Sequence, residues 1–132
     1  MKRPILVTIS CVIILILSCF YLISFILIFI FPLPEAQMEE IMEFTNLPLW
    51  AGYLMAAIGI SISLISAIFM LKGKYLARKI FLGWIIISIV TGLIFSNIYT
   101  NLIIETLPAL LCLALLYLPS SNQYFAHNTE LN

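Results

Sequence analysis

Apolar positions in this chain come in long unbroken runs, and the polar ones are confined to short clusters between them. Uncharged runs cover residues 4–34, 44–71 and 80–104, and a fourth run, 102–118, carries only Glu105. A helix needs about 20 apolar residues to cross the hydrocarbon core. The pattern therefore predicts transmembrane helices near residues 5–31, 49–71, 80–98 and 102–118. The fold class expected is an all-α membrane protein, four transmembrane helices in an up-down bundle. Residues 1–118 form its single domain, and residues 119–132 are read as a polar cytoplasmic tail, loosely ordered.

The spans differ in how they pack. The first has no glycine and is rich in Ile, Leu and Phe, which suits a peripheral helix, tilted and largely in contact with lipid. Pro32 and Pro34 end it, because proline cannot continue the hydrogen-bond ladder. In the second span Gly52, Ala56, Gly59, Ser63 and Ser66 follow at spacings of 4, 3, 4 and 3, a narrow stripe of small residues on one side. Close backbone approach holds helices together in lipid, so this stripe reads as a helix-packing face with a left-handed crossing. A pore lining is the competing reading. The third span places Ser88, Gly92 and Ser96 four residues apart, suited to packing on a neighbouring helix or on a second copy. The fourth is barely long enough and has Glu105 and Pro108 in its first two turns.

Charge fixes the direction of this bundle. The chain has 132 residues, 64% of them hydrophobic, and its net charge of zero hides a sorted distribution. All six basic residues fall in two places: Lys2 and Arg3, then Lys72, Lys74, Arg78 and Lys79. The connection at 34–45 has Glu35, Glu39, Glu40 and Glu43 and no basic residue. Short loops rich in Lys and Arg stay cytoplasmic. Both termini are thus expected in the cytoplasm, with the glutamate segment outside. That segment reads as a short amphipathic helix, with Met38, Ile41, Met42 and Thr45 on one side and Glu35, Glu39 and Glu43 on another. Its carboxylates read as a solvated face rather than a cation site, since no His or Asp completes a ligand set. Trp50, Tyr53, Trp84, Tyr99 and Tyr117 fall near span ends, where interfacial aromatics belong.

Few residues are equipped for chemistry. Cys11, Cys19 and Cys112 sit inside apolar runs, and no pair has Cys-x-x-Cys spacing, which speaks against thiol–disulfide exchange. The stretch ending in Ser18-Cys19 loosely resembles a lipoprotein signal. The apolar run continues to Phe31, however, so it is kept as a span. Glu105 is the one ionisable side chain within a predicted span and is the candidate functional residue. Small four-helix drug exporters place such a glutamate in the middle of their first span, where this chain has no acid. Glu105 instead falls about one turn from the outer surface, which favours an interfacial, hydrated carboxylate with Asn97, Asn101 and Tyr53 as neighbours. The basic loop is drawn to anionic lipid headgroups by about 1 kcal/mol per residue, enough to set topology without a dedicated ligand. With no Asp in the chain and its single His127 in the polar tail, no catalytic set, cofactor or metal site is expected, and no nucleic-acid partner.

Three short motifs carry a resemblance. The chain opens Lys2-Arg3-Pro4, has Gly73-Lys74-Tyr75-Leu76-Ala77-Arg78 in its basic loop, and closes with Pro119-Ser120-Ser121-Asn122-Gln123-Tyr124-Phe125. In this it is similar to a group of uncharacterised small bacterial four-helix inner-membrane proteins. They carry a Gly-Lys-x-x-Ala-Arg run, usually with Trp at the place of Leu76. The glutamate segment is no part of their pattern. The resemblance implies a multi-pass protein of the bacterial cytoplasmic membrane and no established activity. The function expected is that of a non-enzymatic accessory or interaction protein, whose partners are the bilayer and another membrane protein or itself. The alternative is a small transporter or channel subunit that uses Glu105 as its proton- or cation-coupling carboxylate.

Overall fold

The structure is a computed structural model that describes residues 2–44, 46–97 and 99–130. Among the described residues six helices follow in order: α1 (Ile5–Ile30), α2 (Glu35–Phe44), α3 (Leu49–Leu71), α4 (Tyr75–Phe95), α5 (Tyr99–Leu116) and α6 (Pro119–Glu130). There is no strand among the described residues. Three helices, α1, α3 and α4, are long and apolar enough to cross a membrane. A fourth crossing is present if α5 and α6, bent 67° from each other, are taken as one span. The protein is thus a multi-pass helical membrane protein.

The four long helices pack in a ring, α1 on α3, α3 on α4, α4 on α5 and α5 back on α1. Chain direction alternates around it. One end carries Lys2, Arg3 and the α3–α4 turn and is called the basic end; the other carries α2 and is called the glutamate end. Among the described residues, the buried ones are confined to the half near the basic end: 7–18 on α1, 66–70 on α3, 77–85 on α4, and 112 onward on α5 and α6. Cys11, Met70, Phe81, Cys112 and Leu116 belong to this single apolar cluster. In the other half no described residue of any helix is buried.

Local chemistry sets the helix ends. At the α3–α4 turn Gly73 takes φ +78°, in the left-handed region where a side chain is penalised. Its N–H donates to the Met70 carbonyl at 2.9 Å, and the Lys74 N–H donates to the Phe69 carbonyl at 3.0 Å. This pair of bonds is a Schellman close of α3. Pro34 precedes α2, and its carbonyl accepts from the Gln37 and Met38 N–H groups. Side chains of Ile41 and Asn101, and residues Thr45, Ile98 and Asn132, lie outside the described set.

Two elements differ from the sequence reading. Residues 119–130 form α6 where a loosely ordered tail was expected. Pro119 stands at the first helical position, where its missing N–H costs nothing. Ser121, Tyr124 and Phe125 share one side of the helix and are buried against the bundle. The third long helix begins at Tyr75 instead of residue 80, because the basic loop winds into its first turn. Trp84 consequently lies mid-helix, where its indole meets Gly59 of α3, rather than at a helix end.

Candidate functional site

The most densely built polar site is at the basic end, around Arg78. Placed in the first turn of α4, Arg78 keeps only 4% of its surface exposed. Its Nη1 donates to the Leu116 carbonyl at 3.0 Å and to Asn122 Oδ1 at 2.5 Å. The guanidinium also lies over three rings: Tyr117 at 4.3 Å, Phe125 at 4.9 Å and Tyr75 at 5.0 Å. Its Nε is buried without a hydrogen-bond partner.

A buried cation needs compensation, and here no carboxylate supplies it among the described residues. Leu116 is the last residue of α5, so its carbonyl is one of the four that a helix leaves unpaired. The negative end of the helix dipole is at the same place and favours a cation. Ring faces add attraction, worth about 2 kcal/mol when the cation is desolvated. Around it Asn122 Nδ2 donates to the Tyr117 carbonyl at 3.0 Å and Ser121 Oγ to the Leu115 carbonyl at 3.0 Å. Arg78 therefore joins α4, α5 and α6 at one point. Across the same end, Tyr124 and Asn128 of α6 lie so close over Gly73 that a Cβ there would run into both side chains.

The remaining basic residues stay outside this cage. Lys72 and Lys74 are exposed, and both ammonium groups lie over the Phe69 ring, at 5.6 Å and 5.4 Å. Lys79 lies over Tyr75 at 4.7 Å, and Lys2 and Arg3 are exposed at the start of α1.

Glu105 is at the other end. It is exposed on α5, and among the described residues it has no hydrogen-bond or ion-pair partner. Seven residues, about two helical turns, separate it from Cys112, so both occupy the same side of α5. Cys112 is buried and Glu105 is not, because the glutamate half does not close. Two of the expected neighbours, Tyr53 and Asn97, are engaged elsewhere. Tyr53 packs its ring against Phe29 at 5.7 Å and Phe25 at 6.2 Å. Asn97 Nδ2 donates to the Glu43 carbonyl at 2.8 Å and to Asn46 Oδ1 at 3.4 Å, while Asn46 Nδ2 donates back to Asn97 Oδ1 at 2.9 Å.

The small residues are used unevenly. A Cβ added at Gly59 would meet the Trp84 ring at 2.9 Å, and one at Gly92 would run into the Leu102 side chain of α5. Ser66 is buried, and Ser63 and Ser88 are half-buried. Gly52 faces open space and Ala56 is exposed. Ser96 stands one residue past α4 and donates its N–H to the Gly92 carbonyl.

Sequence reasoning placed Arg78 among headgroup-facing residues and did not connect it with Tyr75, Tyr117, Asn122 and Phe125. The available signal was the Tyr75-x-x-Arg78 spacing within one helix turn and the aromatic pair in the tail. Among the described residues no three of His, Cys, Asp and Glu form a group able to hold a metal ion. Searches against protein families, curated proteins and solved structures find no match to this chain.

Proposed function

We propose that this chain is a non-enzymatic accessory or interaction protein of the bacterial cytoplasmic membrane, a four-span up-down bundle with both termini in the cytoplasm. The sorted charge supports the orientation: lysine and arginine mark the end closed by α6, and carboxylates mark the opposite end. One observation carries the functional reading. The groups able to do chemistry do not converge: Arg78 is enclosed in a clamp among three helices, and Glu105, at the far end, has no hydrogen-bond or ion-pair partner among the described residues. What the molecule does offer is surface, since large apolar side chains on all of its long helices are exposed.

The second reading, a transporter or channel subunit with Glu105 as coupling carboxylate, draws support from helix geometry. Glu105 shares a side of α5 with Cys112, so a second copy that closes the glutamate half would enclose it. Affinity capture of the full chain from native membranes in mild detergent separates the two. A stoichiometric complex with another membrane protein, unchanged by Glu105→Gln, is the outcome expected. A self-oligomer whose cation flux in liposomes is abolished by Glu105→Gln would overturn the accessory reading.

A further inference from the structure

A groove of about 290 Å³ runs between α3 and α4 near the basic end. Small buried residues, Ser66 and Ala77, make its floor. Its walls are Ile65 and Phe69 on one side and Leu76 and Ile80 on the other, all of them apolar and exposed at the bundle surface. Along α3 the lining reaches back to Ile62, seven residues before Phe69 and about 10 Å at 1.5 Å per residue. Lys74 closes the end nearest the turn. Phe69, which forms part of the wall, also has the ammonium groups of both Lys72 and Lys74 above its ring. Neither lysine is in an ion pair among the described residues.

We infer that this groove is a binding site for one anionic phospholipid, with an acyl chain along the Ser66–Ala77 floor and the headgroup phosphate between Lys72 and Lys74. The occupant follows from shape and charge together. A helix, 10–12 Å across with its side chains, would rest on the Ile65, Phe69, Leu76 and Ile80 walls without filling the slot between them, whereas a single acyl chain fits that slot. The slot is apolar along its length and cationic only at the end where a headgroup would stand. Basic pockets between transmembrane helices recognise anionic headgroups in this way. Arg78, one turn further along α4, contributes nothing to the site, since its guanidinium is enclosed on the α5–α6 side. The inference rests on the membrane-spanning architecture and not on the accessory role.

Photolabelling tests it with the full chain reconstituted in vesicles. The probe is phosphatidylglycerol carrying a diazirine midway along one acyl chain, with phosphatidylcholine bearing the same chain as comparator. The expected result is label concentrated on residues 62–80, about tenfold stronger for the anionic lipid. Lys72→Gln/Lys74→Gln should lower that labelling to the level of the neutral lipid. Lys2→Gln/Lys79→Gln removes the same charge elsewhere at this end and should leave it within about a factor of two. All four lysines are exposed, so none of these variants disturbs the core. Equal labelling by the two lipids, label spread evenly over α1 and the groove, or equal loss in both double variants would overturn the site. Each of those results leaves the accessory reading untouched, because partner capture is measured independently.

Discussion

The two halves of this bundle are made from the same helices and differ in almost every physical respect. Near the basic end, four long helices and α6 bury a continuous apolar cluster, and a guanidinium is enclosed within it. Near the glutamate end no described residue is buried, and the contacts stay partly open: a pair of asparagine amides, a group of three aromatic rings and Leu102 against Gly92. Small residues occur in both halves, so their presence alone does not bring helices together. What distinguishes the closed half is a set of groups that leave no better option than meeting. The Leu116 carbonyl lacks an intrahelical partner, a buried cation has no carboxylate beside it among the described residues, and α6 has an aromatic side to bury. In a bilayer, where apolar burial between helices gains little, such polar demands decide where a bundle tightens.

The largest expected effect falls on the clamp. Replacing Arg78 with Ala removes two charge-assisted hydrogen bonds and three ring contacts and leaves the Leu116 carbonyl unsatisfied, a loss of about 3 kcal/mol. Thermal unfolding in detergent, with proteolysis at 119–130 as a second readout, measures it. Arg78→Lys should recover only part of this, because an ammonium lacks the planar fork that stacks and bonds at once. If Arg78→Ala costs nothing, the closed half does not depend on α6.

The next effect is one of opposite signs. Gly59→Ala forces a methyl against the Trp84 indole and should destabilise by about 1 kcal/mol net, overpacking exceeding the gain in helix propensity. Gly52→Ala meets open space and should stabilise by up to about 1 kcal/mol through propensity alone. Measured side by side by chemical denaturation, equal destabilisation of both would mean that the small-residue stripe is packed along its whole length. The smallest effect belongs to the amide pair. Asn97→Ala removes exposed hydrogen bonds to Asn46 and Glu43 and should cost about 0.5 to 1 kcal/mol. Hydrogen exchange at residues 43–49 should rise while exchange across 66–85 stays unchanged. A loss as large as that of Arg78→Ala would mean that the two halves unfold as one.

Much of this architecture was legible in the residues and some was not. The run at 49–71 needed no tertiary information, because its bounds are set by Pro48 and by the Lys72-Gly73 turn. The start of α4 was hidden, since a basic stretch scores as a loop in a hydropathy reading yet continues readily as a helix. α6 was hidden for a related reason. Its sequence is polar on average, and its apolar side is only Tyr124 and Phe125 with Ser121 between chain and bundle. Glu105 is legible as the one carboxylate in a predicted span, but its surroundings depend on how far the bundle closes, which no spacing reveals.

Hydropathy runs and charge placement are local quantities, and they suffice to say that the chain crosses a membrane several times with opposite charges at its two ends. Which end closes depends on groups from distant parts of the chain meeting at one point: Arg78, the Leu116 carbonyl and Phe125 come together only once α4, α5 and α6 are packed. No window along the sequence contains all three. The division of the bundle into a tight half and an open half is therefore a property of the folded molecule.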